Sequence, residues 1–114
     1  MNETERKGLF CERVAVFFLL IKGYRILARR YKTVCGEIDI IARKRDTVVF
    51  LEVKSRKNIE KCYNAITKRQ LARIQRSSEI FMRRANNLSN CSRRYDVILI
   101  ADWEWPIHIE NVSM

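Results

Sequence analysis

The distribution of apolar and polar residues predicts a β-hairpin in the first half of the chain. Segments 36–42 and 47–56 are rich in β-branched and apolar residues, and the polar residues 43–46 separate them. Apolar runs of this length joined by a short polar break are typical of two antiparallel strands. Apolar residues stand at odd and even positions of both runs, so we expect the hairpin to lie in a sheet covered on both faces.

Two helices and three further strands are predicted around this hairpin. A helix over 4–22 should end at Gly23, and a second helix over 67–86 should begin at a Thr67 cap. The segments 24–32, 94–101 and 107–112 are predicted strands, and 57–66 is a predicted loop with a helical turn. The order α-β-β-β-α-β-β predicts an α/β fold in which helices flank a central mixed sheet.

Length and charge suit one domain, residues 1–114, that contacts polyanions. The chain has 23 Lys and Arg against 13 Asp and Glu, a formal net charge of +10. Such a surface favours nucleic acid or an anionic membrane surface. Four scattered cysteines and one histidine argue against a zinc cluster or a disulfide framework. The apolar run 14–21 is too short to cross a bilayer, so we expect a cytoplasmic protein without a membrane partner.

The register of the hairpin predicts a cluster of charged side chains. A turn centred between residues 45 and 46 places Asp39 opposite Glu52 and Glu37 opposite Lys54. Opposed and alternate residues share one face, so these four side chains should form a polar square. The other face should carry the apolar residues Ile38, Ile40, Val49, Leu51 and Val53.

Two interpretations of the polar square are open. Two neighbouring carboxylates need a counter-charge, and Mg²⁺ prefers hard oxygen ligands from one or two carboxylates with water and phosphate. The functional interpretation is therefore a metal-assisted phosphodiester site. The structural interpretation is a polar cluster that Lys54 and nearby arginines neutralise. Glu12 is likewise either directed at the square from the first helix, or a surface residue paired with Arg13 or a nearby lysine.

The second helix has a basic side that could follow a phosphate backbone. Its arginines at 69, 73, 76, 83 and 84 lie opposite an apolar side, although an ordinary solvated face would show the same pattern. Gln70 is either a capping residue or a polar group near the site. Trp103 and Trp105 could stack on bases or pack partly exposed in a hairpin, and His108 is expected to be an edge-strand side chain.

Several sequence blocks carry a resemblance to a known family. They are G-x-x-x-E-x-x-A at 8–15, G-Y at 23–24, G-E-I-D-I-I-A at 36–42, V-F-L-E-V-K-S-R at 49–56 and R-Y-D-V at 94–97. Together they resemble the YraN-like family of small bacterial proteins. That family is viewed as endonucleases of the restriction-endonuclease-like superfamily, with its D…E-x-K signature, and as relatives of archaeal Holliday-junction resolvases.

The resemblance implies a restriction-endonuclease-like fold and specific residue roles. Asp39, Glu52 and the Val53 carbonyl would hold Mg²⁺ or Mn²⁺, with Glu12 completing the metal site. Lys54 would orient or deprotonate the attacking water. Independently of the resemblance, the basic side of the second helix and the net charge predict that nucleic acid, expected to be DNA, contacts Arg56, Lys68, Arg69, Gln70, Arg73 and Arg76. A homodimer is an expectation by analogy with resolvases.

These observations lead to one main prediction and two alternatives. The main prediction is a metal-dependent endonuclease that hydrolyses phosphodiester bonds in DNA, including branched or repair and recombination intermediates. The first alternative is a non-catalytic nucleic-acid-binding module with the same fold. The second is a basic domain that binds an acidic protein.

Overall fold

The structure, a computed structural model, describes residues 1–112 of the chain. The predicted domain of residues 1–114 also includes 113 and 114, which lie outside the described residues. The helices are α1 (Glu3–Ile21), α2 (Ile59–Asn64) and α3 (Lys68–Arg84), with a 3₁₀ turn at Asn86–Leu88. The strands are β1 (Arg25–Thr33), β2 (Gly36–Lys44), β3 (Thr47–Arg56), β4 (Ser92–Ala101) and β5 (Ile107–Ile109).

The five strands form one mixed sheet in the order β1-β2-β3-β4-β5. Strands β3 and β4 are parallel, and the other neighbouring pairs are antiparallel. The parallel pair requires a crossover, which α2 and α3 provide. The predicted α/β fold, with a mixed sheet flanked by helices, is confirmed, and it is compatible with a restriction-endonuclease-like core.

Helices α1 and α3 cover opposite faces of the sheet. On one face Ala15 and Leu19 of α1 pack on Ile40 and Leu51. On the other face Ile74 of α3 packs among a different set, which includes Ile38, Ile41, Val48 and Phe50. The central strands are therefore apolar on both sides, as their sequence predicted.

The caps of the two long helices follow from their sequences. The Asn2 side chain accepts a hydrogen bond from the Glu5 N–H at 2.8 Å. The predicted Thr67 cap is also present, because the Thr67 Oγ1 accepts from the Gln70 N–H at 3.1 Å. The predicted segregation of α3 holds as well, since Leu71 and Ile74 are buried and the five arginines of its basic side are exposed.

Two elements differ from their predicted extent. The loop predicted over 57–66 contains a six-residue helix, α2, which begins after an Asn58 cap. The edge strand predicted over 107–112 ends at Ile109. The chain leaves the edge there because Asn111 has a φ of 55° and donates its N–H to the Asp96 carboxylate.

The hairpin register is confirmed over the half nearest the turn. The pairs run from Lys44↔Thr47 to Ile40↔Leu51, as the sequence predicted. The prediction that Ile38 shares a face with Ile40 is wrong, because Ile38 packs on the α3 side and Ile40 on the α1 side. The alternation of β2 is thus interrupted between Ile38 and Ile40, opposite Arg30 of β1, whose φ of 50° is left-handed.

The four cysteines are free thiols, in agreement with the sequence. Among residues 1–112, no helix combines the length and the apolar character that crossing a membrane requires.

Candidate functional site

The candidate site is a wedge between β2 and β3. Pairing between these strands ends at Ile40↔Leu51. Beyond that rung β2 stays paired with β1 as far as Gly36, and β3 stays paired with β4 as far as Arg56. The two strands therefore separate while each keeps its outer neighbour, and main-chain groups at the centre of the sheet become available to side chains or to a ligand.

Asp39 lies at the apex of the wedge. Its Oδ2 accepts a hydrogen bond from the Val53 N–H at 2.8 Å, in place of a main-chain ladder bond. Burial, followed by the charge of Glu52, raises the pKa of Asp39 to about 7, although the Val53 hydrogen bond acts in the opposite direction. Asp39 thus accepts one hydrogen bond, lies near other acids and is largely removed from water. Its ionised form therefore lacks sufficient positive charge nearby to stabilise it.

Glu52 and Lys54 form an ion pair on β3. The Lys54 Nζ lies 3.2 Å from the Glu52 Oε1, and only 8% of the lysine side chain is exposed. Burial raises the pKa of Glu52 although Lys54 acts in the opposite direction, and the charge of Glu37 adds to the increase. One buried lysine therefore does not neutralise the acids that gather here.

The predicted polar square is formed only in part. Glu52 and Lys54 alternate with Leu51 and Val53, which pack with the α1 side, so their strand positions face α3. Asp39 lines a cavity on the α1 side, and no ladder pair extends to Glu37 and Lys54. The flat arrangement of four opposed residues is therefore wrong, because β2 and β3 separate before they reach it. The acids act on each other across the wedge instead.

Glu12 joins this site from α1, and its partners differ from those predicted. Arg29 Nε donates to Oε1 at 3.0 Å, and Arg30 Nε donates to Oε2 at 2.9 Å. The partners are thus two arginines of β1, and not Arg13 or a lysine. Consecutive residues on a strand normally point in opposite directions. Both can reach Glu12 because of the left-handed φ at Arg30.

A cavity of about 380 Å³ opens from the wedge towards α1. Its charged lining comprises the acids Glu12, Glu37 and Asp39 and the cations Lys7, Arg30 and Arg56. Three carboxylates and three cations on the walls of one cavity could hold a cation and an anionic group side by side. Within residues 1–112 no cluster of three or more His, Cys, Asp and Glu side chains is close enough to hold a metal ion.

The residues predicted to bind nucleic acid lie in two places. Arg56 lines the wedge cavity. Lys68, Arg69, Arg73 and Arg76 are exposed on α3, on the opposite face of the sheet from α1. Arg73 is near the wedge, since a Cβ placed on Gly36, the first residue of β2, would lie 3.6 Å from its Cβ. The Gln70 backbone N–H donates to the Thr67 Oγ1, and that hydroxyl also donates to the Gln70 Oε1 at 3.4 Å, so the Gln70 side chain lies at the cap, in agreement with the capping interpretation.

Sequence reasoning missed a buried network around Asp96. This carboxylate, whose side chain is fully buried, accepts from Arg94, from His108 Nε2 at 2.7 Å and from the Asn111 N–H. Burial alone would raise the pKa of Asp96, but the bonds from His108 and Arg94 outweigh it, and the pKa is lowered. An acid directly before the apolar run 97–101, two residues after an arginine, was the available signal.

The two tryptophans do not pack in the β4–β5 connection. Trp103 is 102% exposed and Trp105 is 86% exposed, so the predicted hairpin packing is wrong. His108 does lie on the edge strand β5, as predicted, and its Nδ1 lies 2.6 Å from the Lys22 Nζ.

The sequence matches the model of the family described as "Uncharacterised protein family UPF0102" over residues 11–100. The chain belongs to the UPF0102 family. It is 42% identical over 110 residues to a UPF0102 protein of Mesorhizobium japonicum, covering 96% of this chain and 88% of that protein. UPF0102 proteins of Chelativorans sp. and Rhizobium meliloti are each 40% identical, covering 94% and 93% of this chain and 86% and 87% of theirs.

The UPF0102 match contains all the elements that form the wedge. Residues 11–100 include Glu12, Asp39 and the E-x-K sequence from Glu52 to Lys54. The predicted YraN-like resemblance is confirmed at the level of this family.

Proposed function

We propose that this chain is a metal-dependent endonuclease that hydrolyses phosphodiester bonds in DNA. The observation that supports the proposal most strongly is the wedge. Separation of β2 from β3 brings the Asp39 carboxylate against the Val53 main chain and next to Glu52, while Lys54 is paired with Glu52. Acids beside a buried ammonium, with cations lining the adjoining cavity on the α1 side, are suited to hydrolysis of a phosphate ester.

The donor chemistry at the wedge fits Mg²⁺ or Mn²⁺. Asp39, Glu52 and the Val53 carbonyl offer hard oxygen atoms, and Mg²⁺ is typically bound by one or two carboxylates together with water and substrate phosphate. The raised pKa values of Asp39 and Glu52 indicate negative charge without sufficient compensation. A bound divalent ion would supply that charge, lower the pKa of a water molecule and stabilise the developing phosphate charge. Glu12 as a further ligand stays a prediction, and its two arginine bonds compete with that role.

The remaining residues would orient the substrate and the attacking water. Lys54 is buried beside Glu52, so its ammonium can donate to a water molecule or to a phosphate oxygen entering the wedge. Lys7, Arg30 and Arg56 line the same cavity as Glu12, Glu37 and Asp39 and can contact the phosphates on either side of the cleaved bond. The exposed arginines of α3 lie on the opposite face of the sheet and would contact a different part of the nucleic acid.

Cleavage of plasmid, single-stranded and branched DNA in Mg²⁺ or Mn²⁺ tests the proposal. We expect activity in the wild type and its loss, by 100-fold or more, in Glu52→Gln, because one charged ligand is removed (about 3 kcal/mol or more). The matched control is Glu79→Gln, which removes an exposed acid from α3. Equal cleavage by wild type and Glu52→Gln, after identical purification, would show that the activity comes from a contaminant.

One observation favours the alternative of a non-catalytic nucleic-acid-binding module. Glu12 is already neutralised by two arginines, and the part of the chain from 1 to 112 holds no cluster of three potential metal ligands. Calorimetric titration with Mn²⁺ distinguishes the two functions. The endonuclease requires a heat of binding that Asp39→Asn abolishes, whereas the binding module requires salt-sensitive DNA binding without it.

A further inference from the structure

A second cavity adjoins the wedge cavity between α1 and the β4–β5 connection. Its volume is about 630 Å³, and the two cavities have Lys7, Cys11 and Ser55 in common. A hydrogen bond of 3.0 Å joins the Cys11 Sγ to the Ser55 Oγ on this shared wall. A ligand in the wedge could therefore extend into the second cavity without crossing the sheet.

This second cavity is apolar and aromatic where the wedge is charged. Phe10, Val14, Ile100 and Pro106 contribute apolar walls, and Trp103 stands at the rim. Phe10 is 66% exposed. We call this cavity the aromatic groove. Its aromatic and apolar lining suits a planar, uncharged group more than a phosphate.

Trp103 adopts a conformation that its side chain alone does not explain. Its φ is 63°, in the left-handed region, where a bulky residue is an outlier and glycine or asparagine is the usual occupant. Burial does not stabilise the indole either, since the side chain is fully exposed. Neither the local turn nor the packing of the fold favours tryptophan here, which points to an external ligand as the partner of the ring.

We infer that the aromatic groove binds a nucleobase of an unpaired nucleotide, stacked on Trp103, beside the phosphodiester held in the wedge. The inference rests on the proposed function, because the wedge must hold the adjoining phosphate. A base inside a continuous duplex is stacked between its neighbours and does not present its face to a protein ring. The substrate class is therefore single-stranded nucleic acid, or a duplex with an unpaired base at the cleavage position.

The charges at the rim are consistent with this arrangement. Lys7 belongs to both cavities and lies 3.7 Å from the Asp102 carboxylate, which reduces repulsion between that acid and a phosphate. The Glu104 carboxylate lines the groove and can accept a hydrogen bond from an amino group of a base. Contact with a second copy of this chain would not by itself require continuity with the wedge, so that continuity favours the nucleobase.

Binding of a fluorescein-labelled single-stranded octamer in EDTA tests the inference without cleavage. The Trp103→Ala variant should bind the octamer about 5- to 100-fold more weakly than wild type, because it lacks one stacking ring. Trp103→Tyr should recover most of the affinity. The matched control is Trp105→Ala, which removes a similarly exposed ring that does not line the groove, and its affinity should stay within about twofold of wild type.

Substrate variants separate base stacking from phosphate contact. An octamer of abasic sugar phosphates and a blunt duplex should bind wild type and Trp103→Ala equally, because neither offers an unpaired base. Comparing the affinities of a DNA octamer and an RNA octamer of the same sequence shows whether the groove accepts deoxyribose, ribose or both. Trp103→Gly provides a folding control, since glycine relieves the left-handed φ and its melting temperature should not fall below that of wild type.

The outcomes distinguish this inference from the proposed function. If binding depends on Trp103 but Glu52-dependent cleavage is not found, the nucleobase site is supported and the endonuclease function is contradicted. If cleavage is found and Trp103→Ala binds as Trp105→Ala does, the endonuclease stands and the groove is overturned. If Trp103→Ala dissociates a dimer in gel filtration and leaves octamer affinity unchanged, a second copy occupies the groove and the inference is wrong. If no octamer binds, the inference about the groove is wrong, and Glu52-dependent cleavage of plasmid or branched DNA still decides whether the protein is an endonuclease.

Discussion

Two partly or fully buried aspartates show how local donors decide the state of a carboxylate. Asp96 accepts hydrogen bonds from two charged or polar side chains and from one main-chain N–H, and its pKa is lowered. Asp39 accepts from one main-chain N–H and lies near Glu52, and its pKa is raised to about 7. The first arrangement holds β4 and the following edge together. The second leaves a carboxylate that a cation would stabilise.

Replacing Asp39 with asparagine should therefore stabilise the protein at alkaline pH. The carboxyl has a pKa of about 7 in the folded state and 3.8 as a model value, so the folded state keeps a proton that the unfolded state has released between those pH values. Stability of the wild type then falls as pH rises through that interval. We expect Asp39→Asn to exceed wild type at pH 8 by on the order of 1 to 3 kcal/mol, and to differ little at pH 4.

Urea denaturation at the two pH values, without divalent ions, measures this difference. The exposed turn variant Asp46→Asn is the control, and it should change stability little at either pH. Addition of Mg²⁺ should raise the stability of the wild type and not that of Asp39→Asn, because only a ligand bound to the folded state shifts the equilibrium. A less stable Asp39→Asn protein at pH 8 would contradict the raised pKa.

At the scale of elements, the hairpin is regular near its turn and separates at its open end. Its apolar pattern and its register were readable from the sequence as far as Ile40 and Leu51. The separation beyond that rung was not readable from the sequence, since it is accompanied by a left-handed residue in β1 and by a side chain that replaces a ladder bond. Neither feature changes the period of the β2 and β3 sequences, so a pattern of alternation does not report it.

The start of β2 should be sensitive to any side chain at Gly36. Its φ of 143° strains residues other than glycine, whereas a Cβ would meet Arg73 only at an ordinary contact distance of 3.6 Å. We therefore expect Gly36→Ala to lose about 1 to 3 kcal/mol of unfolding free energy through backbone strain. Thermal or urea denaturation gives the value.

Gly8 offers the matched control for this substitution. It lies in α1, and a Cβ placed on it would meet no atom within 4 Å. Gly8→Ala should stabilise the protein by about 0.5 to 1 kcal/mol, since alanine loses less conformational entropy in a helix. Equal changes for the two substitutions would show that the backbone of Gly36 is not strained.

At the scale of the whole molecule, the net charge is +10, and basic residues occur at both ends of the hairpin. The wedge, Arg56 and Arg73, which adjoins Gly36, lie towards one end of the hairpin, and the turn at Arg45 lies at the other. Contact with DNA through the predicted α3 residues would concentrate the salt dependence of binding at the wedge end. If DNA were attracted only by the overall positive charge, basic residues at both ends would contribute equally to the salt dependence.

Salt titrations of duplex DNA binding separate these cases. Five basic side chains at phosphates would give a slope of log K against log salt concentration of about −4 to −5, and each lost contact reduces it by about 0.9. We expect Arg73→Gln to reduce the slope by about one phosphate contact and Arg45→Gln, with the same loss of charge, to leave it unchanged. Equal effects would favour non-specific attraction.

Sequence alone determined the elements, their order, the covered sheet and the candidates Asp39, Glu52 and Lys54, because periodicity, caps and charged residues in apolar strands are local signals. Only the tertiary structure decided that β2 and β3 separate, that Glu12 pairs with Arg29 and Arg30, and that Trp103 stands free beside the wedge. These features arise from contacts between segments far apart in the chain and from single backbone angles. No local pattern of hydrophobicity records them.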